Sequence, residues 1–223
     1  MVKLRALMAG CLMVGLAACA TPDTATRGSY AAPSDLQAGV EASVAAPDYN
    51  VVAIRIDVPR NLKVSEANSF FPLADIVWHG EPLGDRYQQV QAIYEEAFAT
   101  GTADLNGARD VVVEATITRF HALTLKARYT TGGMHTLHFV LTVRDAETGE
   151  ILDGPRNVVA DVAGSGGERA LAEEAAGLTQ KVVIEQRLAQ VIHDELTAPL
   201  ALPEAEAALS RQEFSPTDLN IVQ

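Results

Sequence analysis

A glycine-rich segment is the part of this sequence whose composition first suggests chemistry. Gly164-Ser165-Gly166-Gly167 precedes an apolar helical pattern, and glycine-rich loops before a helix N-terminus bind phosphate groups. The lysine of a phosphate-binding loop is missing, because Arg169-Ala170 stands where a Lys-Ser pair is required. We therefore interpret Ser165 as the cap of a helix, with Glu168 as its partner in a capping box.

The five histidines do not follow a metal-binding pattern. His135 and His138 are three residues apart in a predicted strand, so their side chains point to opposite faces. The predicted strand pairing keeps His121 away from both, and no HExxH or helical His-x-x-x-His spacing occurs. The sequence therefore predicts no metal site and no cofactor.

The residue patterns of common hydrolases are not found either. No Gly-x-Ser-x-Gly segment occurs, and no serine stands beside an obvious His and Asp arrangement. The pairs Glu95-Glu96 and Glu173-Glu174 are adjacent on predicted helices, where neighbouring side chains diverge into solvent. We therefore expect no catalytic residues and a protein that is not an enzyme.

The aromatic residues before the first predicted helix allow two interpretations. Trp78 is the single tryptophan, and large aromatic side chains are mostly buried, which favours a place in the core. Alternatively, Trp78 lines a groove together with Phe70 and Phe71, and this groove binds a partner or an acyl chain. These three residues are the candidate binding residues of the folded part.

The start of the chain has the pattern of an export signal. Lys3 and Arg5 precede an apolar run from Ala6 to Ala18 that is too short to span a bilayer. The run ends in Leu16-Ala17-Ala18-Cys19, which resembles the lipobox of bacterial lipoproteins, in which the cysteine sulfur carries lipid. An ordinary secretory signal cleaved after Ala18 is the alternative.

The lipobox resemblance implies a signal peptide at residues 1–18 and a membrane anchor through lipid on Cys19. Because Ala20 and not an aspartate follows the cysteine, the resemblance also implies the periplasmic face of the outer membrane. Cys11 would leave with the signal peptide and Cys19 would carry lipid. The mature chain would then have no thiol for a disulfide, a zinc site or a nucleophile.

Charge and composition limit the partners and the organisation of the chain. The 223 residues have a net charge of −12, which repels nucleic acid and anionic lipid headgroups. Residues 19–49 show no helical or strand period and are interpreted as a flexible tether. Residues 198–223 are rich in Pro, Ala and Glu and are expected to form a disordered tail. One folded domain is expected at residues 50–197.

Hydrophobic patterns predict an α+β fold for that domain. Alternation predicts strands at 50–58, 110–125, 137–143 and 151–162, with a short candidate strand at 76–78. Helical spacing predicts one helix that starts at Asp85 and a second, long helix from Ser165 to Thr197. Thr131-Gly132-Gly133 is expected to join two strands directly, with Thr130 opposite Met134. The predicted architecture is an antiparallel meander sheet of four or five strands with two helices packed on one face.

Three parts of the domain together resemble a known family. The segment from Ala74 to Phe98, the hairpin at Thr148-Gly149-Glu150 and the capped last helix are similar to uncharacterised bacterial envelope lipoproteins that are defined only as a domain of unknown function. The resemblance spans about residues 50–197 and implies one α+β domain without mapped catalytic residues. A looser likeness, in topology alone, is to auxiliary lipoproteins of envelope transport systems.

Two functions follow from these expectations. The first is a non-catalytic lipoprotein that binds another envelope protein as an accessory subunit, through a sheet edge or the acidic helix faces. The second is a lipid- or amphiphile-handling auxiliary lipoprotein, which requires an apolar cleft between sheet and helices. A closed core favours the first function, and an open cleft favours the second.

Overall fold

A computed structural model describes residues 46–199, in which six strands form one sheet and four helices accompany it. The elements are β1 (Tyr49–Asp57), β2 (Ile76–Val77), α1 (Arg86–Gly101), β3 (Arg109–His121), α2 (Leu125–Arg128), β4 (Gly133–Asp145), β5 (Ile151–Val159), β6 (Val162–Gly164), α3 (Gly167–Ala175) and α4 (Gln180–Thr197). The predicted α+β class is confirmed.

The sheet is mixed, so the predicted antiparallel meander is wrong in this respect. The main strand order is β1-β3-β4-β5, while β2 also pairs with β3 and β6 also pairs with β4. β1 and β2 run parallel to β3, whereas β4 is antiparallel to both β3 and β5. Parallel neighbours need a crossover connection, and α1 lies in the connection between β1 and β3.

One face of the sheet packs on the two long helices. The predicted inward positions of β3 and β4 are buried, with Val113 opposite Val143 and Ala115 opposite Leu141. α1 begins at the predicted cap, where the Asp85 carboxylate accepts backbone N–H groups of the first turn. The helices contribute these buried residues to the core: Val90, Ile93, Tyr94, Ala97, Phe98, Ile184, Leu188, Val191, Ile192 and Leu196.

The opposite face of the sheet carries a polar ladder. The Glu114 carboxylate lies 3.0 Å from the guanidinium of Arg55 and 2.8 Å from that of Arg144, so the three side chains cross three neighbouring strands. Both arginines hold the pKa of Glu114 below its usual range.

Among the helices of residues 46–199, none is long and apolar enough to cross a membrane.

β1 contains a bulge that the alternating pattern did not reveal. Val52 lies between Val51 and Ala53, where the register with β3 shifts by one residue. The extra residue reverses the alternation, and Val52 is exposed although it was predicted to share the core face with Ile54.

The chain also departs from the predicted fold where β3 ends. No direct hairpin joins β3 to β4, because α2 forms between them. His121 pairs with Thr136, whereas the expected pairing of Thr130 with Met134 would place it opposite Val143. The predicted long last helix is two helices, divided near Gly177, whose φ of 86° lies in the left-handed region. Thr179 then caps α4 by accepting the backbone N–H of Val182.

Both ends of the described chain lie at one end of the sheet. The first residue of β1, Tyr49, pairs with Arg109, the first residue of β3. His193 in the last turns of α4 lies 3.4 Å from Asp104, shortly before β3. The chain before β2 reaches the other end, where β2 pairs with the last residues of β3. The 13 residues of β3 separate the two ends by about 40 Å.

Candidate partner-binding surface

The most exposed large apolar side chains of residues 46–199 lie in the loop before β2. Leu73 is 99% exposed and Phe71 is 87% exposed, whereas Pro72 between them is buried. Phe70 is also partly exposed. We call residues 68–73 the aromatic loop. Apolar side chains exposed to this degree on one short segment mark an interaction site more often than scattered single residues do.

Contacts with α2 hold the aromatic loop in place. The Thr124 hydroxyl donates to the carbonyl oxygen of Ser69 at 2.8 Å, and the Lys126 backbone N–H donates to the side-chain oxygen of Asn68 at 2.7 Å. The Lys126 ammonium also lies 4.6 Å from the centre of the Phe70 ring, which is a cation–π distance. The loop therefore presents its apolar side chains from a supported backbone.

α2 extends this exposed surface by one helical turn. Leu125 and Tyr129 are four residues apart, so they lie on the same side of the helix, and both are partly exposed. The Tyr129 hydroxyl donates to the Glu174 carboxylate at 3.1 Å and so contacts α3. The end surface is defined here as the following five residues: Phe70, Phe71, Leu73, Leu125 and Tyr129.

Three basic residues are joined to the aromatic loop or to the residues directly after it. Lys126 lies on the Phe70 ring, and the Arg119 guanidinium lies 2.9 Å from His121 Nδ1, which is itself 3.3 Å from the carbonyl oxygen of Ala74. Lys63 is exposed, and its backbone is hydrogen-bonded to Asp75, two residues beyond the loop.

Most lysines and arginines of residues 46–199 form an ion pair with a carboxylate. Four of them do not: Lys63, Arg119, Lys126 and Arg187. Three of these four are the ones beside the aromatic loop.

α2 is also held by a partly buried ion pair. Arg128 is 1% exposed, and its Nε donates to Glu174 at 2.8 Å, which joins α2 to α3. The expectation that Glu174 points into solvent is therefore wrong. His135 is fully buried in the same region, and its Nδ1 accepts the Leu123 backbone N–H. Burial and the neighbouring Arg128 charge lower the pKa of His135 to about 4.

The glycine-rich segment packs tightly against the loop before β4. Gly166, not Ser165, is the cap residue of α3, and the Ser165 hydroxyl donates to Glu173 at 2.7 Å. The predicted Ser165 cap is therefore wrong. A Cβ on Gly166 would lie 2.1 Å from the backbone nitrogen of Gly132, so close backbone packing requires glycine there.

The three residues predicted to line a groove have different surroundings. Trp78 is fully buried, and its ring packs edge-on against Phe120 with 5.6 Å between ring centres. Its Nε1 donates to the Glu81 carboxylate at 2.8 Å. Phe70 and Phe71 lie on the end surface. The structure thus supports the core interpretation of Trp78.

Some predicted features lie outside the described residues. These are the predicted lipidation site Cys19, nearly all of the tether and most of the tail.

Aromatic rings fill the space between the sheet and the helices. Trp78, Tyr94, Phe98, Phe120 and Phe139 are all almost completely buried and contact one another. A cavity of about 190 Å³ lies between α1 and α4, which is small for a ligand pocket. A larger, open cleft of about 440 Å³ lies at the opposite end of the sheet from the end surface and is lined by Asp110, Asp145 and Glu147, among others.

The histidines of residues 46–199 are separated by the fold. His138 lies 3.2 Å from Asp161, whereas His135 is buried on the other side of the same strand. Within the described part of the chain, no group of three or more His, Cys, Asp or Glu side chains is placed to hold a metal ion.

Comparison with protein families identifies the domain. The sequence model of DUF6778, a family of unknown function, matches residues 49–212, which is well over half of the chain. The chain belongs to this family. The DUF6778 match begins at the first residue of β1 and includes every described helix and strand. No curated protein matches the chain.

Two solved structures are similar to parts of this DUF6778 chain. A Xanthomonas campestris protein described as a DUF330 member has a TM-score of 0.40 and 11% identity, and the match covers 76% of this chain and 92% of that one. A Caulobacter crescentus protein described as a proposed lipoprotein has a TM-score of 0.28 and 14% identity, over 48% and 76% of the two chains. Similarity this distant carries no argument about function.

Proposed function

We propose that this DUF6778 protein is a non-catalytic lipoprotein of the bacterial envelope that binds another envelope protein as an accessory subunit. The observation that supports binding is the end surface, where Phe71 and Leu73 project from a loop tied to α2. The resemblance of the segment ending at Cys19 to a lipobox supports the anchor, which we propose lies on the periplasmic face of the outer membrane.

The filled core favours this function over lipid handling. A lipid-binding auxiliary protein requires an apolar cleft, and acyl chains need more volume than the small cavity between α1 and α4 supplies. Aromatic side chains occupy the space between sheet and helices where such a cleft would lie. The two most exposed large apolar side chains of residues 46–199, Phe71 and Leu73, lie on the outside of the domain, in the aromatic loop.

The position of the end surface suits a protein that is anchored through its N-terminus. The described chain enters β1 at one end of the sheet, and the end surface lies at the other end, about 40 Å away. A lipid on Cys19 would therefore hold the domain by the end that the partner does not use.

The binding function is tested by crosslinking the tagged, full-length protein in intact membranes and purifying it. We expect one reproducible protein partner and no enriched lipid in the same eluate. Phe71→Asp should abolish crosslinking to that partner. Ile151→Asp, at an exposed site at the opposite end of the sheet, should leave the crosslinking unchanged. Co-purification of phospholipid with a transporter component would instead support the lipid-handling function.

The anchor is tested separately by Cys19→Ser. We expect this variant to leave the membrane fraction, since it lacks the sulfur that carries lipid. Unchanged membrane fractionation would contradict the lipoprotein assignment without affecting the binding experiment.

A further inference from the structure

The positive charges of the domain are distributed unevenly. The whole chain has a net charge of −12, and most described arginines are neutralised by carboxylates of the same chain. Lys63, Arg119 and Lys126, in contrast, have no carboxylate partner within residues 46–199 and flank the aromatic loop. Exposed apolar side chains and unpaired cations therefore occur together at one end of an acidic protein.

Burial of this surface would require negative charge from the partner. A cation that loses water at an interface is destabilised unless an opposite charge pairs with it. Lys126 is held over the Phe70 ring. Arg119 is held beside His121, which contacts the carbonyl oxygen of Ala74 directly after the loop. Complementary charges at such a rim increase the association rate and select the partner.

We propose that the end surface binds an acidic segment of an envelope protein, in which apolar side chains cover Phe71 and Leu73 and Asp or Glu carboxylates pair with Lys63, Arg119 and Lys126. This inference rests on the proposed function and specifies the chemistry of the partner.

An anionic lipid surface fits the same end of the domain less well. A flat membrane would face every group around the aromatic loop, including the carboxylates of Asp75 and Glu174. The net charge of −12 would also repel anionic headgroups. A protein segment, in contrast, can place its carboxylates only opposite the three cations.

The partner is identified by a photo-crosslinking amino acid placed at position 71 of the full-length protein in cells, with position 151 as the control. A protein captured from position 71 and not from position 151 is then purified for binding measurements. Capture alone does not support the proposal. The deciding observation is the response of the affinity to charge.

We expect Lys126→Glu and Arg119→Glu each to weaken binding of the purified partner about tenfold or more at low salt, and much less at 0.5 M salt. Arg55→Glu, on the polar face of β1, is the matched control and should change the affinity less than twofold. Reversal of a partner carboxylate to lysine should restore binding to Lys126→Glu.

Three results would overturn the proposal. Charge reversals that change the affinity less than twofold would exclude an acidic partner segment. A partner that is captured in the membrane crosslinking experiment but never from position 71 would place binding elsewhere and leave the proposed function intact. Binding of the unlipidated full-length Cys19→Ser chain to phosphatidylethanolamine:phosphatidylglycerol 3:1 vesicles, lost on Lys126→Glu, would assign the surface to lipid headgroups.

Discussion

The ammonium group of Lys126 lies 4.6 Å from the centre of the Phe70 ring, so a residue of α2 covers an aromatic side chain that is 56 positions earlier in the chain. Together with the hydrogen bond from the Thr124 hydroxyl to Ser69, this contact fixes the aromatic loop against α2. The orientation of the end surface therefore depends on an element of only four residues.

The cation–π contact predicts a small, pairwise contribution to stability. Lys126→Met keeps the aliphatic stem but removes the charge, and it should lower the free energy of unfolding by about 0.5–1 kcal/mol, because the site is partly exposed. Urea denaturation of Lys126→Met, Phe70→Leu and the double variant measures the coupling. If the two single effects simply add, the ring and the ammonium do not stabilise each other.

The ion pair behind α2 should contribute more than the pairs on the surface. Glu174→Gln removes the carboxylate partner of the buried Arg128 guanidinium, and we expect it to lower the free energy of unfolding by about 2–3 kcal/mol. Arg169→Gln breaks an ion pair in which the arginine side chain is 81% exposed, and its effect should stay below about 0.5 kcal/mol. Equal effects of the two variants in denaturant titrations would show that burial of Arg128 adds nothing.

Some elements could be predicted because their signals are local. Alternation placed Val113 and Leu141 on the core face, and the Asp85 cap located the start of α1. The direction of β1 could not be predicted, since an alternating strand looks the same whether its neighbour is parallel or antiparallel. α2 was missed because four residues are too few to show a helical period.

The end surface was predicted only in part. Phe70 and Phe71 were named as candidate binding residues, but nothing in their neighbourhood in the sequence indicates that Lys126 contacts Phe70 or that Arg119 lies close to the end of the loop. That placement depends on the parallel pairing of β2 with the end of β3 and on α2, and both are tertiary features. Trp78 was grouped with the two phenylalanines by proximity in sequence, whereas the fold buries it.

The buried position of Trp78 can be measured directly because the chain has a single tryptophan. Its native fluorescence should be much less sensitive to acrylamide than that of the unfolded chain. Trp78→Phe should lower the free energy of unfolding by about 2–3 kcal/mol, since it leaves a cavity and removes the hydrogen bond to Glu81. Phe71→Ala is the exposed control, with an effect within about 0.5 kcal/mol. Strong quenching of the native protein would instead indicate an open groove at Trp78.

The buried histidine predicts a loss of stability in mild acid. Burial and the Arg128 charge lower the pKa of His135 to about 4 from an ordinary value of 6.5. Between these two values the unfolded chain binds a proton that the folded chain does not bind, so the free energy of unfolding falls as the pH falls from about 6.5 towards 4. From pH 7.5 to 5.5 this one group should contribute a loss of about 1 kcal/mol.

Replacement of the imidazole isolates this contribution. His135→Asn retains an acceptor for the Leu123 N–H but does not titrate, so the loss of stability between pH 7.5 and 5.5 should be about 1 kcal/mol smaller than in the unmodified protein. Burial also lowers the pKa of His79 and His121, and for this reason part of the loss should remain in the variant. Urea titrations at the two pH values measure the loss of stability in each protein. The effect of the substitution itself on stability is present at both pH values and therefore cancels when the two losses are compared. An identical pH dependence in both proteins would mean that His135 accepts its proton as readily in the folded state as in the unfolded chain.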